Sequence, residues 1–241
     1  MNPALLPENS GLAFSGETAW PPSILPARQA EQLAAMANTC GRPNADVLRR
    51  RLAVVRDQPA ESWQIDFPDH FTAQEAALYE QPFALLQQRA NTCLNPHANP
   101  DLRRALARVS RYLATTTGAA TPDWRWIEED LLPDATLLVV ARDDDFTHGV
   151  LQSSVFAAWY HHYSADMASV QIVEAFPFSW PPATPLSSLT ASQEEQRHAI
   201  SRSSRSGDVE LLNAAVLTAY GWSPDADLPV KLAELNRQRA R

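Results

Sequence analysis

The chain has 241 residues, 45% of them hydrophobic, and 28 acidic against 20 basic side chains give a formal net charge of −8. That length buries a sizeable core as one domain or as two small ones, and no apolar run approaches the ~18 residues of a membrane-spanning helix. A helical membrane span is excluded and no membrane partner is expected; an acidic chain also suits nucleic acid poorly unless its basic residues gather on one face.

The N-terminal Met1-Asn2-Pro3-Ala4-Leu5-Leu6-Pro7-Glu8 lacks the basic and apolar regions of a secretory signal. Cys40 and Cys93 stand far apart without a C-x-x-C pattern, so a cytoplasmic protein with free thiols is expected. Residues 1–26 are proline-rich and read as loop with one short strand. After Pro26 a helix carries Ala30, Leu33, Ala34 and Ala37 and stops near Gly41. Asn44 is expected to cap a second helix running through Arg56. Trp63 to Phe67 alternates like a strand, and Pro68 ends it. Thr72-Ala73-Gln74-Glu75 is a capping box that opens a helix to about Glu80. Pro82 forces a restart, with Phe83, Leu85 and Leu86 continuing on a helical face.

Asn95 to Pro100 reads as a turn, and Asn99 as the cap of a helix bearing Leu102, Ala105, Leu106, Val109 and Leu113. Residues 115–126 form a polar loop ending in Trp124 and Trp126, which alternate across a strand. They read as packing residues rather than a base-stacking platform, with Arg125 facing the other side. Leu137 to Ala141 is a short Val-rich apolar run, a core strand. Leu151, Val155, Ala158, Trp159 and His162 recur at helical spacing, and Val170 to Phe176 reads as a second strand stopped by Pro177.

After Pro185 the pattern is helical only. Ser192-Gln193-Glu194-Glu195 reads as a capping box for a helix towards Arg205, broken by Gly207. Asp208 caps a helix with Leu212, Ala215, Val216, Ala219 and Tyr220 on one face, and Gly221 stops it. A last helix follows Pro229 and ends in Arg237, Arg239 and Arg241. The expected fold is α+β, with a mixed domain over residues 1–185 and a helical C-terminal subdomain over 186–241.

No catalytic set stands out. Asp143-Asp144-Asp145 with His148 invites a metal reading, but three consecutive carboxylates diverge in any regular element. A solvated turn, with an Asp or Thr147 capping the next helix, fits better and no metal is expected. Glu128-Glu129-Asp130 reads as an acidic first turn or rim. His161 and His162 are adjacent and point apart on a helix, which disfavours joint ligation. Ser153 and Ser154 lack the Gly-x-Ser-x-Gly context of a hydrolase elbow. The basic residues are nineteen arginines and the single Lys231. They cluster at Arg49-Arg50-Arg51 with Arg56, at Arg103-Arg104 with Arg108 and Arg111, and at Arg202 with Arg205. Arginine suits bidentate contact with phosphate and guanine. Pairing with the abundant surface carboxylates is the competing role for Arg49 to Arg51.

Several stretches resemble one family. Gly149, Leu151, Ser153, Ser154 and Trp159 are followed by Phe176-Pro177-Phe178 and Pro181-Pro182. An element Asn9-x-Gly11-x-Ala13-Phe14-x-Gly16 comes near the start, then Ile65-Asp66-Phe67. Leu212-Asn213-x-Ala215-Val216-x-x-Ala219-Tyr220-Gly221-Trp222 and Leu235-Asn236-x-x-Arg239 come near the end. In order and spacing these are similar to the target-recognition region near the C-terminus of class I SAM-dependent DNA methyltransferases, including fused Type II restriction-modification enzymes of the MmeI-like group. The resemblance implies sequence recognition on double-stranded DNA.

That family's catalytic domain needs a glycine-rich turn for SAM and an Asp/Asn-Pro-Pro-Tyr/Phe loop for the flipped base. Here the seven glycines never fall in a G-x-G arrangement, and the Pro-Pro pairs follow Trp20 and Trp180. The resemblance thus implies the specificity subunit, or a fragment, of an N6-adenine-type methyltransferase in restriction-modification or phage defence. No cofactor is expected on this chain; SAM is expected on a separate methyltransferase catalytic subunit. Candidate DNA-facing residues are Arg49, Arg50, Arg51, Arg125, Arg142, Ser153, Ser154, His161 and Ser164. The gap from Ser164 to Ser169 and the loop 115–125 flank strands, where recognition loops sit. The alternative is a non-catalytic interaction or regulatory module without direct DNA contact.

Overall fold

The computed structural model describes residues 2–55, 58–68, 70–92, 98–128 and 130–240. The expected α+β class holds, and the chain folds as two compact units. One comprises Met1–Ser15, Asp101–Ile127 and Leu138–Arg241; the other comprises Gly16–Pro100 and Glu128–Leu137.

The second of these units is built on β2 (Ile24–Leu25), β3 (Leu48–Val55), β4 (Gln58–Ile65) and β7 (Leu131–Pro133), in the order β2-β4-β3-β7. β3 and β4 pair antiparallel with Arg51 opposite Ser62, and β7 joins β3 in parallel with Arg51 opposite Leu132. Helices α1 (Ala27–Ala35), α2 (Ala73–Ala76) and α3 (Glu80–Ala90) supply Ala30, Leu33, Ala76 and Leu86 to a core shared with Leu25, Val47, Ile65 and Phe67. The Thr72–Glu75 capping box forms as expected. Pro82 is accommodated in the first turn of α3, where no helical partner for its nitrogen is needed.

The first unit carries the sheet β1 (Ala13–Ser15), β8 (Leu137–Val140), β5 (Arg111–Thr116), β6 (Arg125–Glu128), in that order. β1 runs antiparallel to β8, with Ala13 opposite Val140 and Ser15 opposite Leu138. Helix α4 (Pro100–Leu106) precedes β5. After β8 come α5 (Asp145–Gln152), α6 (Ser154–Tyr163), α7 (Ser169–Glu174), α8 (Ala191–Ser206), α9 (Val209–Tyr220) and α10 (Leu228–Arg239). All but α7 start on a side chain that accepts from an otherwise unpaired N–H group: Asp144, Ser153, Thr190, Asp208 and Asp227. α8 and α9 end on Gly207 and Gly221 in left-handed conformations, φ 71° and 68°. Helices α8 to α10 do not stand apart from residue 186 onward; Ile200, Leu212, Val216 and Leu232 enter the core of Phe146, Val150, Phe156, Trp159, Phe176 and Phe178.

Several expected elements are corrected. Asn44 opens only a short 3-10 turn to Val47, and Leu48 onward is strand β3 rather than helix. Arg56 lies outside the described residues, as do Cys93, Glu129 and the first half of the expected turn, Asn95 to His97. The helix after Asn99 stops at Leu106, and Leu113 belongs to β5. The helix expected through Leu151 to His162 is two, because the Ser153 hydroxyl donates to Val150 O at 2.7 Å and caps a fresh start. Val170 to Phe176 is not a strand. Residues 169–174 form α7, which buries Ile172 and Val173. The capping box of α8 is Thr190 with Gln193, two residues earlier than read.

Candidate nucleic-acid interface

Most of the resemblance-bearing motifs meet in the interior of the first unit, while Gly16 and Ile65-Asp66-Phe67 belong to the second. A Cβ placed on Gly149 would lie 2.7 Å from Ile200 Cγ2 and 3.1 Å from Leu212 Cδ1, so this glycine lets α5 close on α8 and α9. Ser153 is fully buried as the cap of α6. The Ser154 N–H donates to Asn213 Oδ1 at 2.8 Å, tying one motif to another. Trp159 Nε1 donates to Ile172 O at 2.9 Å. Asn9 Nδ2 donates to Phe176 O at 2.7 Å, and Tyr220 donates to Pro177 O at 2.9 Å. Asn236 binds Ala4 through both its amide oxygen and nitrogen and also donates to Ala175 O at 2.7 Å. Gly16 has Asp134 O 2.1 Å from where a Cβ would stand. Ser153 is therefore a scaffold residue, whereas Ser154 is half-buried and is tied in through its backbone N–H rather than its hydroxyl.

The Arg49–Arg51 triplet separates. Arg51 is 2% exposed and structural: it donates to Asp134 Oδ2 (2.7 Å), Gln64 Oε1 (2.8 Å) and Glu17 O. It cannot reach a phosphate in this fold, because the β3 pleat turns it inward. Arg50 pairs with Glu61 at 3.0 Å and Asp130 at 3.2 Å, and those hydrogen bonds hold its pKa above the ordinary guanidinium value. Arg49 is exposed and, among the described residues, makes no ion pair. Arg125 is exposed and paired with Asp123 at 2.7 Å. His161 is exposed on α6, and Ser164 ends that helix with its hydroxyl donating to His161 O at 3.3 Å. Arg49, Arg50 and Arg51 belong to the second unit, and Arg125, His161 and Ser164 to the first.

The structure gathers others around the turn from β8 to α5. All three aspartates there are engaged. Asp143 accepts from the Ser110 N–H at 3.4 Å, and its carbonyl accepts from Arg111 at 3.3 Å. Asp144 caps α5 by accepting from the Thr147 N–H at 2.8 Å, and pairs with Arg142 at 2.8 Å. Asp145 takes Arg111 at 2.9 Å and Arg205 at 3.2 Å. Beside them Arg197 pairs with Glu194 at 2.8 Å. That bond raises the pKa of Arg197, with Asp144 adding to it, and lowers the pKa of Glu194. A pocket of about 400 Å³ opens next to the turn, lined by Gly11, Ala105, Arg108, Arg142, Asp143 and Pro182. Arg108 is exposed and makes no ion pair among the described residues. Trp124 is core, 1% exposed, and Trp126 lies under the Arg111 guanidinium at 3.7 Å.

Of the residues chosen from sequence, only Arg142 belongs to this assembly. Arg108, Arg111 and Arg205 were visible as sequence clusters, yet nothing in their spacing joined them to Asp143–Asp145. The turn is a dense ion-pair network able to present guanidinium N–H groups to an anion. Among the described residues no group of His, Cys, Asp and Glu is arranged to hold a metal, and no helix is long and apolar enough to cross a membrane.

No family model matches the sequence, and no curated protein matches it. Among solved structures, the fold is similar to that of the Type IIL restriction-modification enzyme MmeI, determined in complex with DNA, with a TM-score of 0.58 at 12% identity. The likeness covers 100% of this chain and 36% of the MmeI chain, so this chain shares its whole fold with about a third of that enzyme.

Proposed function

We propose that this chain is the DNA target-recognition part of a SAM-dependent DNA methyltransferase, of N6-adenine type, working with a catalytic chain. The observation that carries the reading is the likeness to MmeI over 100% of the chain, confined to 36% of that enzyme.

SAM is assigned to the partner on physical grounds. A SAM site needs close backbone approach at a glycine-rich strand-to-helix turn. The β8–α5 turn instead carries Arg142 and three aspartates. The role of this chain is then to hold duplex DNA in register while the partner supplies the chemistry.

The test is a methylation assay with SAM and duplex DNA, using this chain, a candidate catalytic chain, and the two mixed. Site-specific methylation only in the mixture supports the reading; no gain on mixing, together with no salt-dependent DNA binding by this chain, overturns it. That outcome would favour an interaction module without DNA contact. Such a module is suggested by the carboxylates that occupy most of the arginines around the turn and by the exposed Val209 (62%) and Leu211 (59%) on α9.

A further inference from the structure

One carboxylate holds two cations drawn from distant parts of the first unit. Arg111 begins β5 and Arg205 lies in the last turn of α8, and both donate to Asp145, at 2.9 and 3.2 Å. The Asp145 side chain is only 15% exposed, whereas Arg205 is 63% exposed and Arg111 39%. Arg111 is further fixed by Trp126, whose ring lies 3.7 Å beneath its guanidinium. Arg202, one turn before Arg205 on α8, is exposed and makes no ion pair among the described residues. Each guanidinium has five N–H donors, and Asp145 uses only part of them. Arg111, Arg205 and Asp145 together therefore carry one net positive charge, with N–H donors left over after Asp145 and the Asp143 carbonyl are served.

We infer that Arg111 and Arg205 form a contact for a backbone phosphate of duplex DNA, and that Asp145 acts as a brake on it. The inference rests on the DNA-recognition reading and adds a specific site and a means of tuning it. A carboxylate between two guanidiniums does two things. It pre-organises them, which spares the cost of ordering long side chains when a phosphate arrives. It also cancels one of their two charges, which lowers the sequence-independent attraction that phosphate contacts supply. A recognition chain gains specificity when that general attraction is kept small. Asp145 is well placed for this, being nearly buried and in contact with both cations.

The experiment is a salt titration of affinity for a fluorescently labelled duplex of random sequence, read by anisotropy, on the full chain. Asp145→Asn keeps the size and an acceptor oxygen but removes the charge. It is expected to bind roughly three- to ten-fold tighter at low salt, with log K against log salt steeper by about 0.9. Arg205→Ala is expected to bind more weakly, with a slope shallower by a similar amount. Asp225→Asn, the same charge change in the exposed turn between α9 and α10, serves as the control and should move neither quantity appreciably. Circular dichroism establishes that each variant is folded, and Arg205→Ala, at an exposed helix position, keeps the test open if Asp145→Asn is not. Wild-type binding with no gain in Asp145→Asn, an equal gain in Asp225→Asn, or an unchanged Arg205→Ala would overturn the inference while leaving DNA recognition standing. No salt-dependent binding by wild type or any variant would remove both.

Discussion

Arg51 shows how a residue type associated with surfaces can organise an interior. Its guanidinium joins β3 to Asp134, Gln64 and the Glu17 carbonyl, segments that are far apart in sequence. Removing one partner of a buried charged network leaves the others desolvated and unpaired, at a cost of about 3–5 kcal/mol. Arg51→Ala is therefore expected to destabilise the second unit by about that amount, and Arg51→Lys by less but still measurably. A lysine ammonium can meet Asp134 but cannot span Gln64 and Glu17 as well. Urea unfolding followed by tryptophan fluorescence checks both; a Lys variant as stable as wild type would refute the bridging role. His148 makes a second residue-level case. Its Nε2 lies 3.2 Å from Trp124 O and its Nδ1 2.8 Å from Ser204 Oγ. A carbonyl only accepts, so Nε2 carries the proton and Nδ1 accepts from the serine hydroxyl. Burial is the main cause that lowers its pKa from the ordinary 6.5, with Arg111 acting the same way and the Trp124 carbonyl and Asp145 opposing. A histidine whose folded pKa is depressed contributes stability that is complete above its unfolded value and is lost as pH falls through the folded one. The unfolding temperature is expected to drop as pH is lowered below about 6.5, and His148→Gln to flatten part of that drop; identical pH profiles for the two proteins would count against it.

At the scale of elements, the packing of α5 against α8 and α9 turns on Gly149. An alanine there gains helix propensity, by about 1 kcal/mol. It also places a methyl 2.7 Å from Ile200 Cγ2, 3.1 Å from Leu212 Cδ1 and 3.2 Å from Ser204 Cβ. Ile200 is β-branched and sits within α8, so it cannot swing aside cheaply. Overpacking of this kind costs about 1–3 kcal/mol. Gly149→Ala is expected to be destabilising in chemical denaturation, and Gly149→Val more so; a stabilised alanine variant would mean that the helices separate freely. These same elements explain what the sequence disclosed. Strand β8 and helices α1, α8, α9 and α10 were legible, with Gly207, Asp208 and Gly221 as ends, because apolar spacing and terminal Asp and Gly residues act locally; the caps Thr190 and Asp227 were not. Strand β3 was misread because Arg51 and Leu52, adjacent and therefore on opposite faces, are both buried, so no simple alternation shows, while Leu48 and Leu52 are spaced like a helix. Helix α7 was misread because Val170, Ile172 and Val173 favour strands in isolation, and burial of Ile172 and Val173 against the first unit's core outweighed that preference. The arginine assembly was illegible for another reason. It depends on β5, the β8–α5 turn and α8 being brought together, which no local pattern encodes.

For the whole molecule the proposed reading has to explain how a chain of net charge −8 would hold a polyanion. Among the described residues of the first unit, Arg108, Arg202 and Arg237 are exposed without an ion pair, and Arg111 and Arg205 share one carboxylate. In the second unit Arg28, Arg42 and Arg49 are likewise exposed and unpaired. Most other guanidiniums already serve carboxylates or carbonyls. Phosphate contacts are thus few, and each contributes about 0.9 to the salt slope. Engagement of two to four phosphates predicts a log–log slope between about −2 and −4, so that affinity falls on the order of ten- to a few hundred-fold from 50 to 200 mM salt. That is much shallower than for a strongly basic DNA binder, and on the proposed reading the catalytic partner adds affinity through its own contacts. Anisotropy titrations of this chain alone and with the partner check this. The expected outcome is weak, mildly salt-dependent binding by the chain and a steeper slope with higher affinity for the pair. A slope of about −5 to −7 for the chain alone would show that the ion pairs around Asp143 to Asp145 open on binding and release Arg111, Arg142 and Arg205 to the DNA. A slope of zero for the chain alone would mean that the free arginines meet no phosphate at all, and the acidic surface would then have to be read as a face for another protein.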